Sequence, residues 1–423
     1  MENSTSTNQD ISQDLLQRFL AYCRIGTTSD RNSSSKPSTP QQMVFLQKLD
    51  AELSSMAVKD RKLYPQGYLV ARIPGQGGEI WKKSEPLALL AHVDTSPDAP
   101  GMVVNPIVHE NYSGKSITLS SEVVLDPTLH PLLNHYKGTT LITSDGTSLL
   151  GADDKAGVAE IMTAVWFWQN NPQVCHAPLE IIFTTDEEIG RGTEGFPLQD
   201  IQSKAALTLD GSAEGGLEWE CYNAWQAKIT FRGISAHPGS ARGLMVNAVS
   251  MAAQFVSSLP RNESPESTDG RFGCLWANHL QGTIGEAEIM VYLRDFEQEG
   301  IKRRIEFLHH LARTLELAYP GGSCKVETQE QYANMREGVM AHPHLIATLR
   351  QAFRRVGLTP SETPIRGGTD GSRLTELGLP TPNIFTGGMN YHSLTEWASL
   401  KAMVKAVEVV LELGKIWATM AAN

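Results

Sequence analysis

An apolar run, Pro86–Ala91, passes directly into His92 and Asp94. Short apolar runs of this kind are typical of buried strands in a parallel sheet, where helices cover both faces. Residues two apart on a strand point to the same face, so His92 and Asp94 can address a common site as the strand ends. In open α/β sheets, ligands bind in the crevice outside the carboxyl ends of the strands. The stretch therefore predicts an α/β fold with a functional site at this edge of its sheet.

The other predicted strands also end in acids or in a histidine. These residues are Asp153 and Asp154 in "LLGADDKAG", Asp186, Glu187 and Glu188 in "LEIIFTTDEEIG", Asp210 in "AALTLDG" and His392 in "NIFTGGMNYHS". Taken singly, each motif has an ordinary interpretation as a turn, a solvated loop or a hydrogen-bonded histidine near the surface. Their arrival at five strand ends indicates one shared site.

The residue types at these strand ends favour metal ions. Several carboxylates brought together repel one another unless a strong positive charge lies among them. Two histidines and several acids, without a thiolate, match a divalent metal, most often Zn²⁺. Their number exceeds what one four-coordinate ion uses, so two ions that share one carboxylate fit the count best. On the residues alone, Asp153 and its neighbour Asp154 cannot be told apart as that shared ligand.

The length of 423 residues exceeds what one hydrophobic core usually supports, which predicts two domains. Strand and helix patterns alternate through residues 1–221 and again through 336–423, as expected for a mainly parallel sheet between helices. The intervening residues 222–335 follow the order β-α-β-β-α-β, typical of a small ferredoxin-like α+β domain inserted into the larger one. Residues 1–12 are predicted to be a polar tail before a helix from Leu15 to Tyr22, and the Ser-, Thr- and Pro-rich segment 27–40 a surface loop.

Composition excludes several kinds of partner. The 36 Lys and Arg against 47 Asp and Glu give a net charge of −11, which argues against nucleic acid or an anionic membrane. The first residues lack the basic and apolar segments of a signal peptide, and no window approaches the roughly 18 apolar residues of a membrane span. Five scattered cysteines are too few for a disulfide framework. These features predict reduced thiols and a cytoplasmic location.

Several motifs together resemble the co-catalytic zinc peptidases and amidases, a family that includes aminoacylases and glutamate carboxypeptidases. The motifs are "HVDTSPD", "NPIVHENY", "LGADDKAGVAEIMTA", "TDEEIGRG", "HPGSARGLMVNA", "NMRE", "PIRGGTDGS" and "FTGGMNYH". The resemblance covers nearly the whole chain. It implies a zinc-dependent exopeptidase-like fold in which the inserted domain 222–335 serves as a lid.

The resemblance also implies a set of zinc ligands, position by position. The family pattern makes Asp153 the carboxylate that bridges two Zn²⁺ ions, with Co²⁺ or Mn²⁺ as substitutes. The remaining protein ligands are His92 and Asp210 for one ion and Glu188 and His392 for the other.

Further residues acquire roles from the same resemblance. Asp94 would orient the His92 ring, and Glu187 would be the general base that takes a proton from the water between the two ions. His237 in "GISAHPGS" would stabilise the oxyanion when the domains close, from its own subunit or a partner's, although a plain His-Pro-Gly turn is an equally good interpretation. Arg366 would bind the terminal carboxylate of a peptide, or else form a surface ion pair.

The activity implied is release of the N-terminal residue from short peptides, in particular tripeptides. Within the enzymes, the alternatives are a dizinc dipeptidase, a carboxypeptidase and an N-acyl-amino-acid amidohydrolase. A non-catalytic ligand-binding protein on the same scaffold is a more remote alternative, because Glu187 and every implied ligand are present. The expected partners are a short peptide and, through the inserted domain, a second copy of the chain. One departure borders the site: "YHSLTEW" replaces the Gly-Lys that the family has after this histidine, and it could shift substrate preference.

Overall fold

The structure, a computed structural model, describes residues 2–420, with side chains from residue 9 onward except at positions 80 and 83. Its α-helices are α1 (Glu2–Cys23), α2 (Pro40–Ser55), α3 (Ala152–Asn170), α4 (Ala248–Ser257), α5 (Gln298–Ala318), α6 (Arg336–Met340), α7 (Pro343–Arg355), α8 (Asp370–Glu376) and α9 (Leu400–Ala418). Its β-strands are β1 (Asp60–Tyr64), β2 (Tyr68–Ile73), β3 (Leu87–His92), β4 (Ile107–His109), β5 (Ile117–Thr118), β6 (Val124–Leu125), β7 (Leu141–Thr143), β8 (Leu179–Thr184), β9 (Ala206–Gly211), β10 (Leu217–Glu218), β11 (Asn223–Arg232), β12 (Cys274–Gly282), β13 (Glu286–Asp295), β14 (Ser323–Tyr332), β15 (Asn383–Phe385), β16 (Gly388–Met389) and β17 (Trp397–Ser399). None of the helices within residues 2–420 combines the length and the apolar character that crossing a membrane requires.

Two compact units form within this range. The first comprises residues 2–219, 337–363 and 369–420, and the second comprises Glu220–Arg336 and Pro364–Gly368. The sequence analysis assigns residues 364–368 to the larger domain, whereas the structure joins them to the second unit. The N–H of Ile365 donates to the carbonyl of Glu220 at 2.9 Å. A Cβ at Gly368 would lie 2.5 Å from the ring of Tyr332, so only glycine allows this close approach.

The first unit is built on a seven-stranded sheet in the order β1-β2-β8-β3-β9-β15-β10. Strand β3 pairs in parallel with β8 and β9, and β9 pairs in parallel with β15. The flanking pairs β1/β2, β2/β8 and β10/β15 are antiparallel. Every residue of β3 and β8 is buried, as their continuous apolar runs predict. The predicted mainly parallel sheet is therefore confirmed at its centre, where α3 packs against β3 and β9.

The register of the parallel strands aligns their carboxyl ends. His92 at the end of β3 pairs with Thr184 at the end of β8, and Leu90 pairs with Thr208 in β9. The loops after these three strands therefore emerge side by side. A second, antiparallel sheet in the order β16-β17-β7-β4, which the sequence analysis did not predict, carries β16 just before His392.

The second unit contains a four-stranded antiparallel sheet in the order β12-β13-β11-β14. Helices α4 and α5 pack on this sheet, and the chain order is the predicted β-α-β-β-α-β. Buried residues alternate along β13, at Ala287, Ile289, Val291 and Leu293, so one face of the sheet carries the core of this unit.

The N-terminal prediction is wrong in one respect. Helix α1 begins at Glu2, whereas the sequence analysis predicts a polar tail to residue 12. Ile11, Leu15 and Phe19 are all buried at a spacing of four residues, so the apolar stripe of the helix already begins at Ile11. The residues before Ile11 are mostly polar, so the sequence gives no apolar pattern that would indicate a helix there.

Candidate metal centre

Two groups of side chains in the first unit bring nitrogen and carboxylate oxygen atoms together. One group is His92, Asp153 and Asp210, and the other is Asp153, Glu188 and His392. Within each group the potential ligand atoms all lie within 4.8 Å of one another. Every residue that the sequence analysis proposed as a metal ligand belongs to one of these two triads, and Asp153 belongs to both.

The two oxygen atoms of Asp153 face different histidines. Its Oδ1 lies 3.0 Å from Nε2 of His92, and its Oδ2 lies 3.2 Å from Nε2 of His392. His92 Nε2 is also 3.5 Å from Oδ1 of Asp210, and His392 Nε2 is 2.9 Å from Oε2 of Glu188. A carboxylate in this position can contribute one oxygen to each of two adjacent sites.

The neighbouring Asp154 belongs to neither triad. Its Oδ2 accepts a hydrogen bond from the N–H of His92 at 3.2 Å, and its Oδ1 accepts one from the N–H of Gly157 at 3.3 Å. The structure thus separates the two aspartates that sequence reasoning left open: Asp153 is in the triads, and Asp154 supports the backbone at the end of β3.

Asp94 contacts both a triad histidine and the turn after β8. Its Oδ1 lies 3.4 Å from Nδ1 of His92, and its backbone carbonyl lies 3.1 Å from the same nitrogen. Its two carboxylate oxygens also accept the N–H groups of Glu187 and Glu188, at 3.1 and 3.2 Å. The first contact is one that the orienting role implied by the family resemblance requires, and the second was not anticipated. One fully buried side chain therefore contacts a ring and holds the backbone that carries two glutamates.

His392 lies in a tightly tied loop. Its φ is +62°, and that of Asn390 is +55°, a backbone region that residues with a Cβ seldom adopt. The amide of Asn390 donates to the carbonyl of Thr395 at 3.1 Å, and the hydroxyl of Ser393 donates to the carbonyl of Asn390 at 2.6 Å. These bonds hold the loop in its unusual conformation, with the ring of His392 directed at Asp153 and Glu188.

Two acids that sequence reasoning missed support the triads. Both oxygens of the buried Glu396 accept backbone N–H groups, from Leu150 and Gly151 at 2.7 and 2.8 Å and from Asp153 at 3.1 Å. Glu396 follows His392 by four residues, within the "YHSLTEW" segment noted as a departure. Glu396 therefore connects the loop that carries His392 to the turn that carries Asp153.

Asp98 is the second missed acid. Its Oδ2 lies 3.5 Å from Nδ1 of His392, and its Oδ1 lies 2.7 Å from the guanidinium of Arg31. The arrangement repeats that of Asp94 and His92, so one loop, "HVDTSPD", places a carboxylate behind each triad histidine. The signal in the sequence was this second acid in the same motif.

Burial and hydrogen bonding shift the pKa values of the triad residues. Burial raises the pKa of Asp210 to about 7 and that of Glu188 to about 8. Hydrogen bonds to Asp153 and Glu188 raise the pKa of His392 to about 11. Burial alone would raise the pKa of Asp153, but hydrogen bonds from His392 and His92 outweigh it and lower this pKa.

These donor atoms fit divalent metal ions. Oε1 of Glu188 is buried without a hydrogen-bond partner, a costly state for a carboxylate oxygen unless a cation lies beside it. Both triads offer only imidazole nitrogen and carboxylate oxygen, a set that suits Zn²⁺ and related ions. The pair of triads can therefore hold two neighbouring ions that share Asp153.

The pKa values predict that the metal-free protein loses stability as the pH rises from about 5.5 to 7.5. In the unfolded chain the pKa values of Asp210 and Glu188 are 3.8 and 4.5, whereas in the folded chain they are about 7 and about 8. The folded chain thus binds more protons in this window, so its free energy of unfolding falls as the pH rises. The raised pKa of His392 acts in the same direction, and the lowered pKa of Asp153 acts only below pH 3.8.

Urea denaturation of chelator-treated protein at the two pH values measures this effect. Added zinc should raise the midpoint more at the higher pH, because coordination requires the ionised carboxylates. A midpoint that rises with pH in the metal-free protein would contradict the charge assignment.

Glu187 lies beside the triads but belongs to neither. It is partly buried, in the turn after β8, and Asp94 holds its N–H. Burial, together with the negative charges of Asp210 and Asp370, raises the pKa of Glu187 well above its ordinary value. A buried carboxylate with a raised pKa has an increased affinity for a proton, as a group that transfers protons requires.

The remaining two candidates, His237 and Arg366, belong to the second unit. His237 is exposed, and its Nδ1 accepts the N–H of Gly239 at 3.1 Å, so it caps a short helical turn. Arg366 donates to the hydroxyl of Thr268 at 2.8 Å, and its guanidinium lies 5.5 Å from the centre of the Tyr222 ring. The two triads are built entirely by the first unit, so neither residue takes part in them.

Comparison with known proteins gives consistent results. The model of peptidase family M20/M25/M40 matches residues 149–415. A peptidase T of Clostridium perfringens is 42% identical over 402 residues, which are 95% of this chain and 98% of that protein. The structure of a tripeptidase from Staphylococcus aureus superposes with a TM-score of 0.77 at 21% identity, covering 97% of this chain and 99% of the other. An aminopeptidase structure from Bacillus cereus gives a TM-score of 0.74 at 19% identity, covering 96% and 99%.

Proposed function

This chain belongs to peptidase family M20/M25/M40, and from that membership and its metal centre we propose that it is a dinuclear zinc aminopeptidase that releases the N-terminal residue of tripeptides. That it hydrolyses peptide bonds follows from the family. The two zinc ions, the free N-terminus and the tripeptide length are the finer parts of the proposal. The observation that carries it is the pair of triads sharing Asp153.

In the proposed centre, His92, Asp153 and Asp210 would hold one ion, and Asp153, Glu188 and His392 the other. Bound there, zinc supplies Lewis acidity, which makes water a stronger nucleophile at neutral pH and polarises a carbonyl group. Asp94 fixes the ring of His92, to which its Oδ1 is 3.4 Å distant, so that Nε2 keeps its direction.

Glu187 performs the proton transfers of the proposed reaction. It takes a proton from the attacking water and delivers it to the nitrogen of the leaving amine as the peptide bond breaks. Burial, together with the negative charges of Asp210 and Asp370, raises the pKa of Glu187, which favours uptake of the proton that it then passes to the amine. The turn that carries it is held by Asp94, which keeps the carboxylate in place through both transfers.

We assign the second unit the role of a lid that contacts the substrate. His237 would stabilise the oxyanion of the tetrahedral intermediate, from its own subunit or from a partner's in a homodimer. Arg366 would bind the terminal carboxylate of the tripeptide, since arginine pairs with carboxylates through two parallel hydrogen bonds. A cytoplasmic location completes the proposal, and the five scattered cysteines, too few for a disulfide framework, support it.

Activity on tripeptides with a free amine should be at least about a hundredfold higher than on their N-acetylated forms, because blocking the amine removes a charged contact that only an aminopeptidase requires. Steady-state kcat/KM on a matched pair such as Ala-Ala-Ala and N-acetyl-Ala-Ala-Ala measures the ratio. Chelation should abolish the activity, and zinc should restore it.

The controls separate the related activities. A dipeptide and a tetrapeptide define the length preference, and an amidated C-terminus tests the carboxylate contact assigned to Arg366. Equal rates on free and acetylated tripeptides would instead favour a carboxypeptidase or an N-acyl-amino-acid amidohydrolase. Full activity in protein without bound metal would refute the dinuclear centre.

A further inference from the structure

The segment 36–42, which the sequence analysis predicts to be mostly surface loop, packs against the turn 185–191 that carries Glu187 and Glu188. We call these the clamp segment and the carboxylate turn. Lys36 donates through Nζ to the carbonyls of Thr185 and Arg191, at 2.8 and 2.6 Å. These contacts span both ends of the carboxylate turn, so the clamp segment fixes its endpoints.

The centre of the contact is a pair of fully buried side chains, Gln42 and Asp186. Nε2 of Gln42 donates to Oδ1 of Asp186 at 2.7 Å, and the N–H of Asp186 donates to Oε1 of Gln42 at 3.0 Å. The N–H of Ser38 adds a bond to Oδ2 of Asp186 at 2.8 Å. One amide group therefore recognises both the side chain and the backbone of Asp186.

Asp186 needs this support because of its backbone conformation. Its φ of +63° lies in the left-handed region, which aspartate adopts at a cost unless its side chain is held by hydrogen bonds. The residue immediately precedes Glu187, so its conformation sets the direction in which the next two residues leave the strand. Asp94 holds the N–H groups of those two residues from the other side.

We propose that Gln42 is a positioning residue of the metal centre: by fixing Asp186 it directs Glu188 into the triad with Asp153 and His392, and Glu187 toward the substrate. The inference rests on the proposed dinuclear function. Residue 42 lies outside the 149–415 stretch that the family model matches, and the inference is argued from the contacts of this chain.

The test is Gln42→Met, which keeps the length of the side chain and removes its donor and acceptor. We expect the affinity for one of the two ions, that of the Glu188 triad, to fall about 10- to 100-fold, the usual effect of losing an outer hydrogen-bond partner. The other ion, held by His92, Asp153 and Asp210, should keep its affinity within about threefold. Titration of the metal-free protein with Co²⁺, followed by visible absorption, reports both affinities without reference to activity.

The kinetic readout is a fall in kcat with little change in KM, since Glu187 lies in the same turn. Gln41→Met is the matched control, because Gln41 is the adjacent half-buried glutamine on α2 and lies outside the clamp contacts. It should bind both ions and turn over as the unmodified protein does.

Exchanging the amide and the carboxylate between positions 42 and 186 tests whether the lost metal affinity can be recovered. Gln42→Glu places a carboxylate against Asp186 and should weaken the same ion further than Gln42→Met does. Adding Asp186→Asn restores a donor opposite the new acceptor, and the double variant should regain most of the lost affinity. A merely structural role would instead lower and restore the affinities for both ions together.

Three outcomes decide the matter. Two ions bound by Gln42→Met with unchanged affinities would overturn the positioning role, and so would an equal loss of both ions, which indicates general destabilisation. If the unmodified protein itself binds fewer than two ions, the proposed function fails first, and this inference with it.

Discussion

Replacement of Glu187 by glutamine is expected to lower kcat for tripeptide hydrolysis by about 10³-fold, within the roughly 10²- to 10⁴-fold contribution of a positioned general acid and base. The amide has nearly the same shape but cannot take a proton from water. Because Glu187 belongs to neither triad and its N–H is held by Asp94, both ions should remain bound. Steady-state kinetics together with elemental analysis of the purified variant measure the two effects.

The matched control is Glu194→Gln. This carboxylate follows the same turn, is more than half exposed and pairs with Arg191 at 2.8 Å. Exposed ion pairs contribute little, so the control should change kcat by less than about twofold. Substantial hydrolysis by Glu187→Gln would show that Glu187 is not the group that transfers the proton. Loss of metal from that variant would instead indicate that Glu187 is a metal ligand.

Replacement of Asp153 by asparagine is expected to remove both tightly bound ions and to reduce activity to below about one-thousandth. Asparagine can offer only one oxygen and no charge, whereas Asp153 faces two histidines with its two oxygens. Metal assistance supplies several kcal/mol of transition-state stabilisation, and each 1.36 kcal/mol is tenfold in rate. Metal content per chain and kcat are the measurements.

Asp154→Asn is the corresponding control, one residue further along the chain. Asp154 belongs to neither triad, and its two oxygens accept the backbone N–H groups of His92 and Gly157, so asparagine removes one of these acceptors but no candidate ligand. This variant should keep two ions and lose less than about tenfold in activity. The reverse result, with the ions lost from Asp154→Asn and kept by Asp153→Asn, would transfer the shared position to Asp154.

The edge of the sheet was predictable from sequence because two local rules fix it. Continuous apolar runs mark strands buried on both faces, and parallel strands end at a common edge. The polar residues at or just beyond the ends of β3, β8 and β9 were therefore expected to meet, and His92, Glu188 and Asp210 do lie in the two triads. The choice between Asp153 and Asp154 was beyond these rules, since it depends on the backbone conformation of two adjacent residues.

The supporting contacts were not predictable because their partners are distant in the chain. Glu396 binds N–H groups near residue 150, and Gln42 binds Asp186. A Ser-, Thr- and Pro-rich composition is the same for a solvated loop and for a loop whose polar groups donate hydrogen bonds to buried acids. In the structure, Thr27 and Ser38 of this segment are buried. Only the tertiary arrangement decides between the two.

The order of the ligands along the chain has a consequence for biosynthesis. His92, Asp153, Glu188 and Asp210 are all made before the second unit, whereas His392 follows it. At typical rates of synthesis, the roughly 180 residues between Asp210 and His392 take about 10 to 40 seconds. During that interval a nascent chain can offer the first triad complete and the second lacking its histidine. The second triad is therefore incomplete until the C-terminal segment has been made, and a chain truncated before His392 has at most one complete triad.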